Sequence, residues 1–194
     1  MKKILTISLL WGVLSACGSG SEATTETNTT PPPDSNSLSN RVLSDNSKPT
    51  QQHRIQDLYS LEAPITMMTT DALNEEASFQ SADETGEVYF FVVHDRKDEL
   101  EGKITLKDYY NFMQGAIVAG LPDPKPSDIE AFNLGNLKGL KSRVSTTFNN
   151  YGIIYQIIAL EGEEHFYQLI GWTMARNTEG IDDLERMIRS FKEL

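Results

Sequence analysis

The sequence predicts an α+β fold: an antiparallel β-sheet of about five to seven strands with a helix on each face. Three observations carry that expectation. The runs 87–94 and 153–160 are apolar at both parities, as a strand is when both faces of its sheet are covered. The segments 105–121 and 178–194 repeat apolar residues at helical spacing. Between these helices, β-prone runs are joined by tight-turn signals, the layout of an antiparallel meander.

The elements follow in order. Residues 59–63 and 65–68 are short β-prone runs interrupted by Pro64. Residues 77–81 lead into the turn signal Asp83-Glu84-Thr85-Gly86, and then into the doubly apolar run 87–94. Thr105 opens a helix, with Asp108 placed three residues on as its capping partner. Leu106, Tyr109, Tyr110, Met113, Ile117 and Leu121 share one face of that helix, which Gly120 and Pro122 end; a Pro-rich loop covers 121–128.

The run 139–148 alternates, with Leu140, Ser142, Val144, Thr146 and Phe148 on one side and Lys141, Arg143, Ser145 and Thr147 on the other. That is the pattern of a half-exposed strand. Asn149-Asn150-Tyr151-Gly152 and Glu161-Gly162-Glu163-Glu164 are turns on either side of 153–160, and 165–174 is the last long strand. Thr178 is the expected N-cap of the final helix, with Glu179 in its first turn. Ile181, Leu184, Met187, Ile188 and Phe191 form its buried stripe.

Upstream of this domain, Lys2 and Lys3 precede an apolar run over 4–14 that ends in Leu14-Ser15-Ala16-Cys17. The run has the length of a signal-peptide core and falls short of the roughly 20 residues a helix needs to cross a bilayer. Leu14-Ser15-Ala16-Cys17 resembles the lipobox of bacterial lipoproteins. The resemblance implies a signal peptide over 1–16, a diacylglycerol group on the Cys17 sulfur and an acyl chain, palmitate being the expected one, on the new N-terminus. Two chains make a stable anchor where one is marginal. The alternative is an ordinary secretory signal with a chance cysteine.

Cys17 is the one cysteine among 194 residues, which excludes an intramolecular disulfide and a Cys-rich metal site. No Asp follows Cys17, so the resemblance implies the outer membrane where the host has one, and otherwise the outer face of the cell membrane.

Residues 17–57 read as a disordered Ser/Thr/Pro-rich tether, too poor in apolar side chains to offset ordering entropy. Residues 51–57 could begin a short helix. The domain is expected over 58–194, large enough for a core of its own. Net charge is −11, from 17 Lys and Arg against 28 Asp and Glu; loss of Lys2 and Lys3 with the signal makes it −13. Such a balance argues against nucleic acid as a partner.

The order strand–strand–helix–meander–terminal helix resembles the PsbP-like fold. The run His165-Phe166-Tyr167-Gln168-Leu169-Ile170-Gly171-Trp172-Thr173 and the segment LERMIRSFKEL over 184–194 are similar to the strand and terminal helix of bacterial PsbP/DcrB-like lipoproteins. The resemblance covers the whole domain and rests on packing residues. It implies a non-enzymatic accessory module of an envelope or membrane complex, with a protein partner in the envelope and no cofactor.

No motif of a serine hydrolase, zinc peptidase, P-loop or dinucleotide fold is present. The candidates for chemistry are therefore scattered. His94, Asp95 and His165 with a turn glutamate could form a divalent-metal site, or each could be a solvated strand-end residue, the reading their spacing favours. Asp95 or Glu163 could pair with Asp83 as a hydrolase acid and base. Asp83, Glu84, Glu161, Glu163 and Glu164 could hold calcium weakly, without EF-hand spacing.

Trp172 is either an exposed binding anchor or, from its parity mates Phe166, Ile170 and Met174, a core residue. Tyr109 belongs to the core stripe and Tyr110 to its margin. Lys138, Lys141 and Arg143 form a basic row that could meet an acidic partner or an anionic glycan, or could simply guard a strand edge. These readings converge on a lipid-anchored, non-enzymatic binding module for another envelope component. The alternatives are a small-molecule-binding lipoprotein serving a transporter, or a hydrolase.

Overall fold

The computed structural model describes residues 48–194. The expected signal peptide over 1–16, the lipid-bearing Cys17 and the tether as far as residue 47 lie outside the described residues. The elements in chain order are β1 (Thr50–Ile55), β2 (Tyr59–Pro64), β3 (Met68–Thr69), β4 (Phe79–Asp83), β5 (Val88–Arg96), α1 (Leu106–Gly120), β6 (Lys125–Pro126), β7 (Glu130–Ala131), β8 (Lys138–Phe148), β9 (Tyr151–Glu161), β10 (His165–Met174), α2 (Thr178–Ser190) and β11 (Lys192–Glu193).

The main sheet has eight antiparallel strands in the order β3-β4-β5-β10-β9-β8-β6, with β7 also paired to β8. The excess over the expected five to seven comes from β3, β6 and β7, which are two residues each. Such short pieces blunt the edges of a sheet. The two doubly apolar runs become β5 and β9, and the central order β5-β10-β9 puts both inside the sheet with β10 between them.

Each face carries its own core. On one face, Phe91, Val93, Ile157 and Ile170 pack with Tyr110 and Met113 of α1. On the other, Phe90, Val92 and Leu169 pack with Leu184, Met187 and Ile188 of α2. One helix per face is thus the arrangement found. Gly171 lets α2 approach the sheet, since a Cβ there would lie 2.5 Å from the Leu184 side chain.

The capping box at α1 forms as the sequence predicts. The Thr105 hydroxyl accepts from the Asp108 backbone N–H, and the Asp108 carboxylate accepts from the Thr105 N–H at 3.1 Å. The Thr105 hydroxyl also donates to the Asp108 carboxylate at 2.6 Å, and this bond, followed by the one from the Thr105 N–H, holds the Asp108 carboxyl below its usual range.

Three expectations are corrected. Residues 51–57 form neither a tether end nor a helix: β1 pairs along its whole length with β2, burying Ile55. The domain thus includes residues up to ten positions before 58. Its first described residue, Lys48, bonds Asp183 of α2 at 2.8 Å. Secondly, the N-cap of α2 is Asn177, not Thr178. The Asn177 amide oxygen accepts from Gly180 N–H at 2.9 Å while its nitrogen donates to the Gly86 carbonyl at 2.7 Å, so one side chain serves the helix and the β4–β5 turn together. Thirdly, α2 stops at Ser190. Phe191 turns into the core and stacks on Tyr59 at 4.9 Å, and β11 then joins β2 and β1 in a second, three-stranded sheet.

Candidate functional site

Neighbouring residues on a strand point to opposite faces, and this rule separates His94 from Asp95. Tyr109, buried under α1, donates its hydroxyl proton to Asp95 at 2.6 Å, so Asp95 belongs to the α1 face. His94 and His165 share the opposite face, with ring centroids 5.7 Å apart. No group of three or more His, Cys, Asp or Glu able to hold a metal occurs among the described residues. Asp95 instead belongs to a buried knot, in which Gln168 donates to the Tyr109 oxygen at 3.0 Å. Desolvation, reinforced by the Asp95 charge, holds the Tyr109 hydroxyl well above its ordinary pKa. That knot fixes the first turn of α1 to the sheet.

The acid–base pair and the acidic cluster are separated by the length of β5. Asp83 lies opposite Val88, and Asp95 lies opposite Phe166, seven residues farther along. At strand rise that is about 23 Å, against the 5–9.5 Å that two carboxyls flanking a glycosidic bond require. Glu163 sits in the turn beside Phe166, at the Asp95 end. The turn acids thus divide between two ends: Asp83 accepts from the Gly86 N–H at 2.7 Å, whereas Glu161 pairs with Lys97 at 3.0 Å.

The basic row is split and largely neutralised. Lys141 meets Glu130 at 3.4 Å and sits over the Phe132 ring, and Arg143 meets Glu185 of α2 at 2.7 Å. Lys138 has the opposite parity and is exposed.

The feature that does converge is aromatic. Tyr89 of β5, Trp172 of β10 and Tyr155 of β9 lie directly opposite one another in the ladder. Trp172 stacks on Tyr89 at 5.2 Å and 11°, and on Tyr155 at 5.6 Å and 22°, while the Phe91 ring meets it edge-on at 6.1 Å. All three members of the row are half-buried, so Trp172 is neither the fully exposed anchor nor the fully buried core residue that the sequence allowed.

The position of α1 explains their exposure. Its first turn lies at Phe166, where Tyr109 stacks at 4.6 Å. Tyr110 and Gln114 then donate to Ser142 of β8, and Thr146 of β8 donates to the Pro122 carbonyl just beyond the helix. The helix therefore slants from β10 towards β8 and leaves the Tyr89–Trp172 side less covered. Burial pushes the Tyr155 hydroxyl up to about 12 and also raises that of Tyr89, with Glu84, Glu87 and Asp83 adding to the shift. Both hydroxyls stay protonated at neutral pH. Stacked rings with polar tips suit binding: they offer apolar area at small entropic cost together with directed hydrogen bonds.

In the sequence, Trp172 and its hairpin neighbour Tyr155 are within reach, and Tyr89 is not. A two-residue turn at Glu163-Glu164 sets Tyr155 opposite Trp172. Tyr89 lies on a strand 76 positions before the point where β10 begins, and no local signal pairs the two.

Two surface clefts among the described residues are small. One of about 20 Å³ lies between α2 and the β8–β9 pair, and one of about 160 Å³ lies between the β8–β9 turn and the end of β10. Sites for drug-sized ligands usually hold roughly 300–1,000 Å³. No helix among the described residues is long and apolar enough to cross a membrane.

No known protein-family profile matches the chain, and no curated protein matches it in sequence. Solved structures do match in fold. LpqN of Mycobacterium tuberculosis, a protein involved in cell envelope biogenesis, is 15% identical over 76% of this chain and 87% of that one, with a TM-score of 0.55. The cyanobacterial PsbP protein of Synechocystis is 12% identical over 75% of this chain and 92% of that one, with a TM-score of 0.53. A protein of Bacteroides thetaiotaomicron is 8% identical over 74% of this chain and 48% of that one, also with a TM-score of 0.53. At these identities the likeness is one of fold, and the fold is PsbP-like.

Proposed function

We propose that this chain is a bacterial envelope lipoprotein whose PsbP-like domain is a non-enzymatic binding module, held on a lipid anchor at Cys17 and presented to a protein partner in the envelope. The observation that carries this reading is Leu14-Ser15-Ala16-Cys17 behind an apolar run of signal length. The fold shared with LpqN, a protein of envelope biogenesis, supports it. So does the half-open row of Tyr89, Trp172 and Tyr155, since aromatic residues with polar tips are enriched where proteins bind. The dispersal of His94, Asp95, His165 and Asp83 over two faces and two ends supports a role without catalysis. The absence of Asp after Cys17 favours the outer membrane where the host has one.

Two measurements test the reading. The intact mass of the membrane-extracted chain should show loss of residues 1–16 and the addition of acyl groups, and Cys17→Ser should abolish both. Crosslinking capture from envelopes should return one reproducible protein partner, and Trp172→Ala should reduce its yield several-fold. An unmodified thiol at residue 17 overturns the anchor, and equal capture by wild type and Trp172→Ala overturns the role of the row.

A further inference from the structure

The β8–β9 hairpin tip presents two aromatic rings and a guanidinium together. Asn149 and Asn150 form a tight turn at φ +48° and +67°, and Phe148 pairs with Tyr151 across it. Both rings are exposed, Phe148 at 37% and Tyr151 at 51%. The Arg176 guanidinium lies over the Tyr151 ring, 5.8 Å from its centre. Gly152, Met174 and Ala175 complete an open cleft of about 160 Å³ beside it.

The chain upstream of the domain joins at this same end. The Gly152 carbonyl accepts from Ala175 N–H at 2.8 Å, and α2 begins at Thr178 immediately after. Lys48, the first described residue, pairs with Glu179 at 3.8 Å and with Asp183 at 2.8 Å in the first two turns of α2. Thirty residues, 18–47, separate it from Cys17.

We infer that the Phe148–Tyr151 tip with Arg176 is a membrane-docking element that seats this end of the domain in the headgroup layer of the bilayer carrying its own anchor. The inference rests on the anchor at Cys17 proposed above. Tyr151, a ring with a polar tip, favours the membrane interface, Phe148 adds apolar area to it, and a guanidinium stacked on a ring can meet a lipid phosphate with two hydrogen bonds. Tethering raises the local concentration at the bilayer, so a contact too weak to recruit a free protein suffices. The neighbouring β4–β5 turn carries Asp83, Glu84 and Glu87, which disfavours a strongly anionic surface. The docking is therefore apolar in origin and strongest on phosphatidylethanolamine-rich membranes.

The test holds the full chain on phosphatidylethanolamine vesicles through residue 17. It uses the native acyl chains, or a maleimide lipid coupled to the Cys17 thiol if the mass shows that thiol unmodified, so the docking is read whether or not the anchor reading survives. A trace phospholipid with a photoreactive group near its headgroup marks the contacts, which mass spectrometry maps. Lipid adducts should concentrate at 148–152 and 174–176. They should fall about tenfold or more in Phe148→Ser/Tyr151→Ser, the loss expected for two half-exposed aromatic side chains. Arg176→Gln, an exposed change that leaves the hairpin intact, should lower them about threefold, and a third of phosphatidylglycerol should not raise them. Adducts that are absent, spread evenly, placed at 97–104 on the opposite end, or undiminished in Arg176→Gln overturn the inference.

Discussion

Asp183 is the most confined acidic side chain described, at 2% exposure within α2. Its carboxylate is held between Lys48 at 2.8 Å and Arg186 one turn along the same helix. The two cations are less confined, with side chains 31% and 39% exposed. This asymmetry makes the two ways of breaking the cluster unequal. Asp183→Asn keeps the shape and frees two cations that can turn to water, so it costs the charge-assisted hydrogen bonds, about 1.5–3 kcal/mol. Lys48→Met with Arg186→Met leaves a carboxylate buried without a counter-charge, a cost of about 3–5 kcal/mol. For a domain of this size the second change lowers Tm by roughly 10–15 °C. Urea and thermal unfolding of the three proteins at neutral pH measure both costs. The reasoning fails if the double variant is no less stable than Asp183→Asn, since the carboxylate would then not depend on Lys48 to pin the start of β1.

Other expected outcomes follow from single contacts. Leu184→Ala removes a fully buried side chain wedged over Gly171 and should cost about 2–5 kcal/mol in urea unfolding. Thr105→Ala removes the N-cap of α1 and should cost about 1 kcal/mol, with hydrogen exchange rising first in the opening turn of α1. Burial pushes the Tyr59 hydroxyl up to about 12, partly offset by its hydrogen bond with Ser78. The folded state thus keeps a proton that the unfolded chain loses near pH 10, and stability from this group is full below pH 10 and falls as pH rises towards 12. The fall is roughly 2–3 kcal/mol, and Tyr59→Phe should lessen the slope of urea titrations between pH 9 and 12 by that share, leaving the shares of Tyr109 and Tyr155, whose hydroxyls burial also raises.

Local signals carried most of the architecture. The capping pair Thr105 and Asp108, the doubly apolar β5 and β9, and the Asn149-Asn150 turn each determine their element from neighbouring residues. What escaped depends on distant partners. Residues 50–55 are polar and mostly exposed, and they form a strand because β2 offers a backbone edge over the α2-side core. Lys192 and Glu193 continue a helical pattern, yet the pocket between Tyr59 and Tyr167 draws Phe191 out of the helix and places them on β2. The aromatic row was half legible for the same reason: Tyr155 is a hairpin neighbour of Trp172, while Tyr89 arrives by a long connection. The strand-end His94, Asp95 and His165 could be weighed as one cluster in sequence, against the favoured reading of separate residues, because proximity along a strand hides the alternation of its faces, and that alternation sends Asp95 to one face and both histidines to the other.

The most direct test of the binding-module account places a photoreactive amino acid at Tyr89, at the open end of the aromatic row, in cells that carry the full chain. A matched probe at Glu101, in the exposed β5–α1 loop, serves as reference. The account predicts one discrete protein adduct from position 89, absent from position 101 and lost when Trp172→Ala is combined with the probe. The same adducts from both positions, or none from position 89 while the protein sits in the membrane fraction, would contradict it.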